Sequence, residues 1–325
     1  MNLLDQAIED YCHGVLSISR DRNGVRLRRM TPDQFAYYDR NPGWAIRSRC
    51  NSGGSIALRT DSRFMDITLH FLSGARTYFG LDIEIDGIHS HCIRLDKAQG
   101  SYERRLFEFD DSQERTVRIY LSPNIEIKLL KLELKAGSTL QPIEPAATNL
   151  LCLGDSITQG MDAISPVSTY PVQLARMLNA NLLNQGVGGH IFDLDALDPD
   201  LPFDPDLITV AYGTNDWGRE IGLDGVRNTA SAYLEKLREI YPPPVRIVVL
   251  SPIWREIGHE QRGGVDLPTF SRTILETALT IQDLEVIDGL ALVPNQPWHL
   301  EDGTHPNDLG FLHYSLNLYR LLTAK

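Results

Sequence analysis

The chain has 325 residues, 42% of them apolar and 23% charged, a composition that can bury a full core and excludes a disordered, collagen-like or disulfide-framework protein. Its formal charge of −12 comes from 31 Lys and Arg against 43 Asp and Glu, which argues against nucleic acid as a partner because phosphate binding needs a basic surface. The excess is uneven: residues 1–147 hold 20 basic and 20 acidic side chains and residues 148–325 hold 11 and 23, so a domain boundary near 140–148 is expected.

The first ten residues contain Asp5, Glu9 and Asp10 and no sustained apolar run, unlike a secretory signal. No stretch approaches the roughly 18 apolar residues of a membrane helix. Cys12, Cys50, Cys92 and Cys152 lack C-x-x-C spacing, as free thiols in a reducing compartment do. The expectation is a cytoplasmic protein with no membrane partner; nothing here specifies an oligomeric state.

Residues 63–71, 81–87, 116–121, 125–129 and 130–134 alternate apolar and polar side chains, the period of half-buried strands. The 81–87 segment ends in Asp86-Gly87, a hairpin signal. Several short strands between turn residues predict an all-β sandwich, jelly-roll-like, over residues 1–140. Pro142 and Pro145 mark a linker at 141–147. From residue 148 the rhythm changes. Short apolar runs at 150–153, 181–183, 207–212 and 245–250 alternate with helical patterns at 170–178, 226–240, 267–281 and 309–322. Strands alternating with helices predict an α/β domain with a parallel sheet covered on both faces, whose active site lies at the carboxyl ends of the strands.

Directly after the first of these strands come Gly154-Asp155-Ser156-Ile157. A serine in a glycine-flanked turn presents its hydroxyl well but needs a base to become a nucleophile. Asp302-Gly303-Thr304-His305 near the other end supplies one, with the acid three residues ahead to orient the imidazole. Acyl transfer also needs donors for an oxyanion. Gly186, Gly188 and Gly189 compete to offer a backbone N–H, and Asn215 in Gly213-Thr214-Asn215-Asp216 offers a side-chain amide. Each segment falls at a predicted strand end or in the loop before the last helix.

These four blocks resemble the SGNH (GDSL) hydrolases. The resemblance implies a flavodoxin-like three-layer domain over residues 148–325. It implies Ser156 as nucleophile with its own N–H in the oxyanion hole, joined by Gly189 and Asn215, and a catalytic His305 oriented by Asp302. Asn184, five residues before Gly189, fits the family's Asn-to-Gly spacing and selects that glycine. A sandwich ahead of such a domain is similar in layout to some carbohydrate esterases and to a group of bacterial acyltransferases.

Other readings compete at single sites. Ser156 could cap a helix, Asn215 and Asp216 could shape a turn, and His305 could be a loop residue, but all four blocks together favour chemistry. The run from Asp193 to Asp206 lacks the EF-hand pattern and reads as an exposed acidic loop. No histidines show ligand spacing, so neither metal nor organic cofactor is expected. Trp217, Trp254 and Trp298 could wall a substrate pocket or simply pack. The expectation is a serine esterase acting on a small acyl ester, particularly acetyl on a saccharide. The acidic domain's field points to a neutral substrate. Acyl transfer to an alcohol, or carbohydrate binding by an inactive SGNH domain, are the alternatives.

Overall fold

The computed structural model describes residues 1–324. The first part carries strands β1 (Cys12–His13), β2 (Ser17–Asp21), β3 (Gly24–Arg28), β4 (Ser55–Thr60), β5 (Phe64–Gly74), β6 (Phe79–Ile85), β7 (Ile88–Leu95), β8 (Ser101–Glu108), β9 (Arg115–Tyr120), β10 (Ile125–Leu134) and β11 (Gln141–Pro142). They form two antiparallel sheets, ordered β1-β4-β9-β6-β7, with β11 added to β4, and β2-β3-β10-β5-β8. Alternate residues of β5 (Met65, Ile67, Leu69, Phe71) meet Ile56, Leu58, Leu81, Ile83, Val117 and Ile119 in one core. The Asp86-Gly87 turn joins β6 to β7 with both residues at positive φ. Residues 125–134, read as two alternating runs, form one strand whose register shifts between Leu129 and Lys131. That bulge lets one strand look like two. The segment 141–147 begins as paired strand at Gln141 and Pro142.

Two helices interrupt the β-structure, against the all-β expectation: α1 (Pro32–Tyr38) and α2 (Pro42–Arg49). Thr31 and Gln34 form a reciprocal capping box ahead of α1, with Pro32 in the first turn. The Asn41 side chain caps α2 by accepting from Gly43 and Trp44. This helical insert leaves the sandwich and docks on the second domain. The Tyr37 hydroxyl donates to Asp193 at 2.6 Å, the Thr31 hydroxyl donates to Asp198 at 2.5 Å, and Gln34 bonds Gln185. The acidic run is therefore not simply exposed, since two of its carboxylates anchor the insert.

The second domain holds β12 (Thr148–Gly154), α3 (Ser156–Gln159), α4 (Tyr170–Leu178), β13 (Ala180–Asn184), β14 (Leu207–Ala211), α5 (Thr214–Gly218), α6 (Gly222–Ile240), β15 (Arg246–Leu250), α7 (Leu267–Leu279), β16 (Leu284–Ile287) and α8 (Asp308–Thr323). The five strands run parallel in the order β13-β12-β14-β15-β16, the flavodoxin-like order with its switch point between β12 and β14. Leu150 and Cys152 of β12 face one core with Tyr170, Leu174, Phe311 and Tyr314 of α4 and α8. Leu151 and Leu153 face the other, with Val226, Leu234, Phe270 and Ile274 of α6 and α7. Alternation along a doubly covered strand produces these three layers. The four cysteines are free. No helix among the described residues is long and apolar enough to cross a membrane.

The sandwich packs against this domain through β6. Asp82, completely buried, accepts from the Ser165 hydroxyl at 2.7 Å and the Val167 N–H at 2.8 Å. A buried carboxylate satisfied from across the boundary makes the two domains one packed unit.

Candidate active site

β12 ends at Gly154, where a Cβ would collide with Thr158 Oγ1 and lie 2.8 Å from the Ala211 carbonyl of β14. Only glycine lets the chain turn so closely into α3. Asp155 caps that turn by accepting from the Ile157 N–H at 2.9 Å. Burial pushes its carboxyl up to about 6, against the lowering effect of that bond. Asp155 thus does cap a helix, and Ser156 remains free to face the next partner.

That partner is His305. Its Nε2 lies 2.8 Å from Ser156 Oγ, and its Nδ1 lies 2.8 Å from Asp302 Oδ2. Asp302 Oδ1 accepts from the N–H groups of Thr304 (3.1 Å) and His305 (2.9 Å). The hydrogen bond from the His305 ring comes first among the interactions that hold the Asp302 carboxyl well below the usual range. A charged Asp302 fixes the tautomer with hydrogen on Nδ1, so Nε2 accepts from the serine hydroxyl.

The donors expected from the sequence, Gly189 and Asn215, line a common cleft, and Arg255 of that cleft donates to Thr304, next to His305. Gly189 adopts φ +78°, the left-handed region that favours glycine, and its N–H has no partner among the described residues. Asn215, in the first turn of α5, donates one amide hydrogen to the His190 carbonyl at 3.0 Å and retains a second. Gln159 ties the loop to α3 by accepting from the Gly188 N–H at 2.8 Å. Asn184 reinforces it, donating to the Thr158 carbonyl and accepting from the Gly186 N–H. Gly189, Thr214 and Asn215 line one open cleft of about 390 Å³.

Residues 152–311 match the GDSL-like Lipase/Acylhydrolase family. Residues 152–311 thus form a GDSL-like lipase/acylhydrolase domain. No curated protein sequence matches the chain. Its fold is similar to that of the salicylyl-acyltransferase SsfX3 from a tetracycline biosynthetic pathway, with TM-score 0.80 and 22% identity over 96% of this chain and 94% of that one. It is similar to a family two carbohydrate esterase from Clostridium thermocellum in complex with cellohexaose, with TM-score 0.67 and 13% identity over 94% and 96% of the two chains. An acetyl xylan esterase from the rumen bacterium Butyrivibrio proteoclasticus gives TM-score 0.65 and 15% identity over 99% and 97%. The likeness spans the sandwich as well as the GDSL-like domain.

The structure adds residues that the motifs of the GDSL-like domain do not include. Asp162, at φ +71°, places Oδ2 3.2 Å from His305 Nδ1, so two carboxylates face one imidazole nitrogen. The Tyr78 hydroxyl donates to Asp162 at 3.1 Å, and Arg76 grips it with two nitrogens. Asp162, Asp302 and His305 are the one grouping among the described residues whose spacing could hold a metal ion. Arg76 already neutralises the first carboxylate and His305 engages the second, so the donor set suits a proton better than a cation.

Trp44 and Arg47 of α2 also reach the cleft. A Cβ on Gly189 would lie 3.1 Å from Arg47 Nη1 and 3.7 Å from the Trp44 indole nitrogen. The capping residues Thr31, Gln34 and Asn41 signalled these helices in the sequence. Nothing local signalled that they would cross to the other domain.

The tryptophans proposed as pocket walls fare differently. Trp217 is 0% exposed and its indole N–H donates to the Val265 carbonyl at 2.9 Å, so it belongs to the core and touches no solvent-filled space. Trp254 is buried and lines a separate cavity of about 460 Å³ with Leu267, Pro268 and Leu290. Trp298 stands 64% exposed beside His299. Of the four tryptophans, Trp44 alone lines the cleft of Gly189 and Asn215.

Proposed function

We propose that the chain is a serine esterase that forms an acyl-enzyme on Ser156. The observation that carries this reading is the continuous hydrogen-bonded line from Ser156 Oγ through His305 to Asp302, at 2.8 Å for each link. His305 removes the serine proton as Oγ attacks the ester carbonyl, and the carbon becomes tetrahedral. The new oxyanion is held by the N–H groups of Ser156 and Gly189 and by the Asn215 amide. His305, now protonated and steadied by Asp302 and Asp162, returns the proton to the departing alcohol. Water, activated by the same imidazole, then attacks the acyl-enzyme and regenerates Ser156.

The substrate we favour is a small acyl group, particularly acetyl, on a saccharide, in keeping with the esterase neighbours. One of these is a carbohydrate esterase in complex with cellohexaose and another is an acetyl xylan esterase. A second reading sends the acyl group to an alcohol other than water, and the acyltransferase neighbour at TM-score 0.80 favours it. An inactive carbohydrate-binding protein fits poorly with an assembled Ser156–His305 pair. Reaction with a fluorophosphonate tests the proposal: one covalent label on Ser156, lost in Ser156→Ala together with p-nitrophenyl acetate turnover, supports it. Retained turnover in Ser156→Ala would overturn it.

A further inference from the structure

The cleft beside the oxyanion donors carries charge of a single sign. Arg47, Arg219, Arg255 and Arg262 line it, and no Asp or Glu does. Residues 148–325 hold 11 basic against 23 acidic side chains, yet three of the basic ones converge here and α2 adds a fourth. Arg47 donates to the Gly188 carbonyl (3.0 Å), Arg219 to the Gly189 carbonyl (3.1 Å) and Arg255 to the Thr304 hydroxyl (3.0 Å). None of these three has a carboxylate partner among the described residues. Arg262 alone reaches an acid, Glu260, at 3.4 Å.

Arg47, Arg255 and Arg262 are held partly out of water, and Arg219 stands exposed at the rim. Arg255 and Arg262 lie over the Trp217 ring at 5.5 and 5.1 Å, and Arg219 lies over Trp44 at 5.5 Å. The Nε atoms of Arg255 and Arg262 are buried with no hydrogen-bond partner. Burial, and then a neighbouring arginine, lowers the pKa of Arg47 and Arg255. Like charges drawn partly out of water cost free energy until an anion completes them, and guanidinium forks match the paired oxygens of carboxylate and phosphate.

We propose that this cleft binds an anionic oxygen group, a carboxylate or a phosphate, carried on the ester beside the bond that is cleaved. Arg219, Arg262 and Arg47 are its donors, and Trp44 walls the space around it. The expectation of a neutral substrate followed from net charge. Screening confines distant charges to about 8 Å, so a substrate in contact with the cleft meets the arginines first. The reaction assigned to this substrate rests on the acyl-enzyme reading of Ser156.

The test compares three acetyl esters on the full chain: methyl 4-acetoxybenzoate, 4-acetoxybenzoate and 4-acetoxyphenyl phosphate. At least one anionic ester should exceed the neutral one in kcat/KM by about tenfold or more, the scale of one charge-assisted pair. That preference should fall about tenfold in Arg219→Gln and in Arg262→Gln. The better anion identifies the group. A neutral ester turned over as well as both anions, or a preference unchanged in both variants, would overturn the proposal. Should neither these esters nor p-nitrophenyl acetate be turned over, the acyl-enzyme reading fails and calorimetry decides the cleft separately. Saturable binding of 4-hydroxybenzoate or phenyl phosphate that both variants weaken supports the site, and no binding to the wild-type chain overturns it.

Discussion

Arg76 of the sandwich holds Asp162 of the GDSL-like domain with Nε and Nη2, each 2.6 Å from a carboxylate oxygen. Through this pair the sandwich reaches the imidazole proposed as the base, because the same carboxylate lies 3.2 Å from His305 Nδ1. The sandwich is thereby part of the site's frame.

Two acids on one imidazole should back each other up. Asp302→Asn alone is expected to lower kcat about 10²-fold, short of the ~10⁴-fold loss when a triad's single acid is replaced. Adding Asp162→Asn should bring the loss to that level. Steady-state kinetics of the two single variants and the double form the cycle. A double variant no slower than Asp302→Asn would remove Asp162 from the mechanism.

Arg76→Ala should release Asp162 and lower kcat about tenfold while leaving KM nearly unchanged, since Arg76 touches Asp162 and does not line the cleft. Arg76→Lys restores the charge without the fork and should recover only part of the rate. Were Tm to fall with kcat intact, the pair would serve domain docking alone.

Asn215→Ala should reduce kcat about 10²- to 10³-fold with little change in KM, the signature of a donor that acts on the transition state. A rise in KM at constant kcat would instead assign Asn215 to ground-state binding.

His190 supplies a pH prediction. It is completely buried among Tyr37, Tyr38, Trp44 and Tyr212. Tyr37 OH donates to Asp193 and so accepts from His190 Nε2 at 3.0 Å, leaving Nδ1 bare and unpartnered. Burial lowers its pKa to about 3. The unfolded chain, with His near 6.5, therefore binds the extra proton first. Stability from this group is full above pH 6.5 and is lost as pH falls towards 3. Asp155 and Asp216, pushed up by burial to about 6 and about 7, act in the opposite sense. The difference from a variant isolates the histidine: the stability gap between wild type and His190→Gln should narrow from pH 7 to pH 4, by up to about 1.4 kcal/mol per pH unit. Urea unfolding at both pH values measures it, and a constant gap would contradict the assignment.

Much of the GDSL-like domain was legible in the sequence. α4 spans 170–178 as its apolar spacing predicts, and the turns that carry Ser156 and His305 bring the two side chains within 2.8 Å. These features are local: a strand end, a turn, and a period of apolar residues set each one. What escaped was long-range. Asp162 lies six residues beyond the nucleophile with no motif of its own, and it matters because Arg76 and Tyr78 arrive from another domain. The insert with Trp44 and Arg47 carried legible caps, but its short helices lay inside a β-rich stretch. Trp217 shows the converse error. Proximity to Asn215 in sequence placed it near the site, and the helical turn of α5 aimed it into the core.

The central claim is that Ser156 becomes acylated. The direct measurement is intact mass after rapid acid quench of the protein with p-nitrophenyl acetate, followed by peptide mapping. A mass gain of one acetyl group, located on Ser156 and absent in Ser156→Ala, is the predicted result. Turnover with no acetyl on Ser156 at any quench time, or with acetyl on another residue that the Ser156→Ala variant retains, would contradict it.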